Sequence, residues 1–194
     1  KNSISEMWAL VHQQLYNAGE AMLTGDKELA YKVISRERRV NAFELKIDSD
    51  CEDIIALYAP VAIDLRFVLA MYKINTNLER LGDFAESIAR FAGNLPEGEP
   101  IDPQLVKETR VEEMLSELLS MISLTKEAFE KESSEIASRI FLKDNLIDEI
   151  NHNSTAIIAK YIEEHFGDHC TNIAEELIFY LDAKVMKHMG KTEQ

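Results

Sequence analysis

The sequence predicts an all-α protein built from a three-helix unit used twice, and three observations predict it. Only 7 Gly and 4 Pro interrupt 194 residues dominated by Leu, Ile, Ala, Glu and Lys, a composition that favours long helices over strands. Apolar residues recur at steps of three and four along extended runs, the spacing of one buried helix face. The two halves match each other under constant numerical offsets, the mark of an internal repeat.

The first helix is expected over about Ser3 to Leu23, with Met7, Leu10, Val11, Leu15, Ala18 and Met22 on one stripe. Thr24-Gly25-Asp26 ends it, and Asp26 is placed to cap a second helix. That helix carries Ala30, Val33, Val40, Ile47, Cys51 and Ile54 on its apolar face to about Tyr58. Pro60 forces a break, because the residue before a proline avoids the helical region. A third helix of about 30 residues follows, with Phe67, Met71, Ile74, Leu78, Leu81, Ala85, Ile88 and Ala92 in heptad steps suited to bundle packing. Gly93 to Pro103 holds three of the four prolines and reads as the linker. Beyond it, helices are expected at about Leu105 to Phe129, Ser133 to His165 and Phe166 to Met189, with Gly190 closing the last.

An offset of 107 takes Ala30 to Ala137, Arg36 to Lys143, Glu37 to Asp144, Val40 to Ile147 and Asn41 to Asp148. An offset of 85 takes Gly82 to Gly167, Asp83 to Asp168, Ile88 to Ile173 and Ala89 to Ala174. The chain therefore divides into a first repeat over residues 1–95, a linker over 96–104 and a second repeat over 105–194. The offsets differ by 22 residues, so a stretch equivalent to Ala59 through Arg80 is absent between His165 and Phe166. The expectation is that the encoding gene carries that segment. A true deletion would instead remove the turn that folds the third helix back, fusing two helices into one rod with an unpartnered stripe.

A formal charge of −14 and a pI near 4.8 oppose a surface that tracks nucleic acid or anionic lipid, since polyanion binding rests on clustered Lys and Arg. The same balance makes a poor receptor for free phosphate and suits cations or basic partners. Cys51 and Cys170, each inside a helical pattern and outside any CxxC, read as buried thiols in a reducing compartment. No apolar run approaches the ~20 residues of a membrane span. The head of the chain lacks the zones of a secretion signal and an initiator Met, so a cytoplasmic location and a start inside a longer gene product are expected.

The residues with chemical potential are carboxylates. Glu79 and Asp83 are i, i+4 neighbours, and Glu86 lies one turn further along the same face. Glu37 stands four before Asn41, Asp144 four before Asp148, and Asp168 four before Asn172. Like charges at this spacing cost a helix a few tenths of a kcal/mol, so stacking them calls for a compensating cation or for solvation. Oxygen-rich clusters suit hard or borderline metals. A di-iron oxidase of the ferritin type needs two Glu-x-x-His motifs, and this chain has one, Glu149 with His152. It has no Gly-rich phosphate loop, nucleophile elbow or HExxH. His165 and His169, beside Cys170, have ligand spacing only if the helix is continuous across the junction. His12 and His188 read as surface or packing residues.

The run PVAIDLRFVLAMYKINTNLERLGDFAESIAR, Pro60 to Arg90, resembles the signature of the PhoU family, regulators of bacterial phosphate uptake and signalling, in which P-x-A-x-DLR precedes ERxGD. GDHCTNIAEELIFYLDAK, Gly167 to Lys184, resembles the ending of that family's second copy, and GDKELAYKVI followed by ERRVN resembles its second helix. The resemblance implies two tandem three-helix bundles related by pseudo-two-fold symmetry. It also implies metal clusters, iron, zinc or another divalent or trivalent ion, held in some members by E(D)xxxD motifs. By position the metal candidates are Glu37, Asn41, Glu79 and Asp83 in the first unit and Asp144, Asp148 and Asp168 in the second. Asn41 stands where an acid is expected, and the second copy lacks the ERx lead-in to Asp168.

The activity implied is contact without catalysis: binding to the ATPase of the phosphate ABC transporter and to the phosphate sensor histidine kinase, repressing the response at high phosphate. Membrane association is expected only through these partners, with no nucleic acid bound, and the expected assembly is a homodimer. Two alternatives stand beside it, a PhoU-like cytoplasmic domain of a sodium/phosphate cotransporter and a carboxylate-bridged metal-binding or oxidase bundle.

Overall fold

In the computed structural model, residues 1–96, 100–145 and 157–183 are described, the last segment as backbone alone up to residue 166. Helix α1 spans Asn2–Thr24, α2 Lys27–Tyr58 and α3 Ala62–Asn94. They form a three-helix bundle in which each packs on the other two. Gly25 closes α1 in the left-handed region (φ 71°), and its N–H donates to Ala21 O at 3.0 Å. The Asp26 carboxylate accepts from the Leu29 N–H at 2.9 Å and opens α2, as its side-chain type favours. The stripe on α3 from Met71 to Ala92 is buried, as is that on α1 from Met7 to Met22, except that Leu10 is only partly covered. Ile54 departs from the expected pattern: it is 38% exposed, lining an open groove near the end of α2.

Beyond the linker the expected single helix is two. Helix α4, Pro103–Thr109, is capped by Asp102 and broken from α5, Val111–Lys131, by Arg110 in the left-handed region (φ 52°). Glu132 (φ 49°) ends α5, and Ser133 caps the short α6, Ser134–Ser138, after which residues 140–145 are helical. The expected helix from Ser133 to His165 is thus interrupted at Arg139, and its part over 146–156 lies outside the described residues, as does Gly190. Helix α7 runs Ile157–Asp182 without a break at residues 165 and 166. The last helix therefore starts before Phe166. Among the described residues there is no strand.

The second half packs on the first through two seams that share one continuous apolar core. On the first, α1 meets α5: Trp8 is fully buried, stacks on Phe129 at 5.4 Å and donates its indole N–H to Ile122 O at 3.2 Å. His12 sits on the same seam, where its Nε2 pairs with Ser123 Oγ at 3.1 Å. On the second, α3 meets α7 through Lys73–Glu176 at 2.8 Å, Asn77 with His169 Nδ1 at 3.0 Å, and Phe67 edge-on to Tyr180 at 5.2 Å.

Helices α2 and α3 come into close contact at Gly82. A Cβ on Gly82 would stand 2.8 Å from Val40 Cγ1, a distance real Cβ atoms do not tolerate, and Val40 is fully buried. Glycine costs a helix interior about 1 kcal/mol relative to alanine, and here the bare backbone is what admits the valine. Gly82→Ala is therefore expected to lower stability by about 1–2 kcal/mol, overpacking outweighing the gain in helix propensity. Chemical denaturation checks this, and the cost should shrink when measured in a Val40→Ala background. Cys51 and Cys170 are buried; burial raises the Cys51 thiol to about 11 and the Cys170 thiol further still. Neither thiol should react with iodoacetamide at pH 8 until the chain unfolds, as mass spectrometry of native and denatured protein would register.

Candidate functional site

The close approach at Gly82 sets two acid-bearing helix faces against each other. On α3 the face carries Asn75, Glu79, Asp83 and Glu86, and on α2 it carries Glu37, Asn41, Glu44 and Asp48. Asn41 Nδ2 donates to Glu37 Oε2 at 3.1 Å along α2. Burial, with the negative fields of Glu86 and Asp83, pushes the Glu37 carboxyl above the usual range, while the Asn41 amide and Arg90 pull it back. Glu86 is held by Arg90 at 2.6 Å.

Glu79 is the most perturbed of the described carboxylates. Burial first, then the charges of Asp83 and Glu44 and a hydrogen bond with Asp83, raise it to about 7. Glu79 thus holds its proton to higher pH than an ordinary glutamate, and donates to Asp83 when it holds it. Glu44 is raised too, by burial and by Asp48 and Asp83. Asn75, fully buried, spans the two helices: its Nδ2 donates to Glu44 O at 2.9 Å and to Asp48 Oδ1 at 2.8 Å.

The acids that matter across the helix pair thus include Glu44 and Asp48, which sequence reasoning passed over. They repeat the four-residue spacing of Glu79 and Asp83, a signal present in the sequence but masked by the many acids of α2. Glu37 lies in the field of Glu86 and Asp83, while Glu79 lies in that of Asp83 and Glu44.

In the second unit the glycine again lies against α2's counterpart. A Cβ on Gly167 would stand 3.0 Å from Asp144 Oδ1. Asp144 also adds its charge to the burial that raises Cys170. Asp168 is exposed, and its backbone carbonyl accepts from Thr171 Oγ1 at 2.9 Å. Asp148, with Glu149 and His152, lies outside the described residues.

Oxygen donors on facing helices are the right chemistry for a hard cation, and Glu37 Oε1 and Asn41 Oδ1 are buried acceptors without a hydrogen bond. Geometry opposes it. Among the described residues no three Asp, Glu, His or Cys side chains converge as a metal ion requires. The first-unit acids relieve their repulsion with a proton at Glu79 and with the amides of Asn41 and Asn75.

The described residues form an all-helical bundle with an acid-lined α2–α3 pair. Residues 4–92 match the model of the PhoU domain. The phosphate-specific transport system accessory protein PhoU of Serratia marcescens is 32% identical over 98% of this chain and 84% of its own length. The accessory protein PhoU of Escherichia coli K12 is 30% identical, over all of this chain and 86% of its own length. The crystal structure of the phosphate transport system regulatory protein PhoU from Streptococcus pneumoniae superposes with a TM-score of 0.81 at 26% identity, covering 96% of this chain and 95% of that one. The chain belongs to the PhoU family. The match to the Escherichia coli relative runs over 212 positions against 194 residues here, so about 18 of its positions have no counterpart, close to the shortfall between the two offsets.

Glu79 yields a pH-dependent prediction. Its folded pKa of about 7 lies above the ordinary 4.5, so the folded state binds the proton more tightly than the unfolded state between these values. Stability from this group is full below pH 4.5 and is lost as pH rises to about 7. Glu79→Gln, which mimics the protonated acid, is expected to raise the melting temperature at pH 8 and to leave it nearly unchanged at pH 5. Paired thermal melts of variant and parent at each pH check the sign.

Proposed function

We propose that this protein is a non-enzymatic regulator of phosphate uptake and phosphate-starvation signalling. It works by contact, binding the ATPase of a phosphate ABC transporter and the sensor histidine kinase, and represses the response when phosphate is plentiful. The observation that carries the reading is likeness along the whole chain, not at one motif: relatives named as accessory proteins of phosphate-specific transport match 98% and 100% of it.

The physical character of the chain supports the same reading. A net charge of −14 repels free phosphate, so a protein of this composition senses phosphate through its partners rather than by gripping the anion. No described helix is long and apolar enough to cross a membrane, and a membrane transporter is then reached through its ATPase. The acidic surface suits partners with basic faces and speeds their encounter at low ionic strength.

Co-purification of tagged protein with the transporter ATPase, and separately with the cytoplasmic part of the sensor kinase, tests this at low and high phosphate. Association with both is expected, stronger at high phosphate. No association with either partner in either condition would sink the proposal.

A further inference from the structure

The exposed apolar side chains of the first bundle are concentrated where α2 turns into α3. Leu57, Tyr58 and Val61 are 73%, 76% and 71% exposed, and Ile63 follows at 52%. Leu57 and Tyr58 line an open groove of about 410 Å³ between the start of α1, the end of α2 and the start of α3, floored by Ile4, Ile47, Phe67 and Met71. A monomer seldom leaves so many large apolar groups together in water unless something covers them. The turn that presents them is tightly bent: Ala59 (φ 45°) and Ala62 (φ 51°) both occupy the left-handed region on either side of Pro60.

The rim of this patch is acidic. Asp50 and Asp53 line the groove, Glu52 lies between them in sequence, and Asp64 stands in the first turn of α3. The lysines at hand are already engaged, Lys46 with Asp50 and Lys1 with Glu132. Glu52, Asp53 and Asp64 form no ion pair among the described residues. An apolar patch whose rim carries more acids than bases selects among occupants. A second copy related by a two-fold axis would set the same acidic rim against itself. An anionic membrane would be repelled. A protein segment with apolar side chains flanked by Lys or Arg satisfies both parts of the surface.

We propose that the α2–α3 tip is the docking surface for such a segment, an apolar element of a partner protein bordered by basic residues. The inference rests on the reading that this protein acts by contact with the phosphate transport and signalling proteins, and it names the face that makes the contact.

The test uses the full chain against two immobilised probes, the transporter ATPase and the cytoplasmic part of the sensor kinase, with affinities read by biolayer interferometry. Leu57→Ser/Tyr58→Ser removes the exposed apolar groups, Asp53→Lys reverses one rim charge, and Glu112→Lys on α5 makes the same charge change elsewhere. The expected result is a loss of about tenfold or more for the double variant with at least one probe. Asp53→Lys should weaken the same interaction severalfold and lessen its dependence on salt between about 0.05 and 0.3 M, where screening lengthens or shortens the reach of the rim. Glu112→Lys should change little.

Should the double variant melt early, Asp53→Lys and its salt dependence carry the test alone. Binding by the parent with both tip variants unaffected would overturn this inference and leave the contact-regulator reading standing. No binding by the parent to either probe would overturn both. Light scattering on the same samples supplies a further overturning result: a dimer that the double variant splits, with partner affinity unchanged, would make the tip a self-association face.

Discussion

The missing side chain at Gly82 controls the approach of α2 to α3, and with it the electrostatics of the first bundle. With Val40 Cγ1 2.8 Å from where a Cβ would stand, the helices sit closer than any larger residue allows. Their acid-bearing faces are then forced into each other's field. Glu79 rises to about 7 because burial strips its carboxylate of water and because Asp83 on its own helix and Glu44 on the other oppose its charge. The fold accommodates this with neutral hydrogen-bond donors. Asn75 spans the two helices and Asn41 donates to Glu37. Asn41 thus does locally what an acid and a cation together would do elsewhere: it satisfies a carboxylate oxygen without adding charge.

The same device recurs at Gly167, against Asp144 rather than a valine. A glycine that meets a carboxylate oxygen across a helix pair puts charge where the first unit puts an apolar branch. The repeat therefore preserves the close approach while altering its chemistry. Around these pairs the two halves are joined by aromatic and polar contacts, Trp8 on Phe129 and Lys73 with Glu176, so the cores merge rather than remain separate. The acidic surplus is left on the outside, where it governs which partners can approach.

Much of the helical framework was legible. The heptad stripe of α3, the Gly25–Asp26 punctuation and the glycine at position 82 each carry a local physical signal that needs no neighbour to interpret. The break near Glu132 was legible too, while the one at Arg110 was not, because a non-glycine residue there adopts left-handed backbone (φ 52°) that its own chemistry disfavours. Ile54 looked like core because periodicity reports a face and says nothing of what covers it. The junction at residues 165 and 166 was legible as a discontinuity of the repeat, and α7 runs through it.

By itself, the sequence determined an all-helical chain, its repeat, its acidic character and the glycines at which helices come close. These follow from composition, period and the conformational cost of glycine. Which carboxylate faces which was decided only by the tertiary structure. On a helix as long as α2 acids occur on every side, and the register that selects Glu44 and Asp48 as neighbours of α3 depends on where two helices cross. The exposure of Leu57, Tyr58 and Val61 was likewise a tertiary outcome, since apolar residues beside a proline turn are buried or presented according to what lies over them.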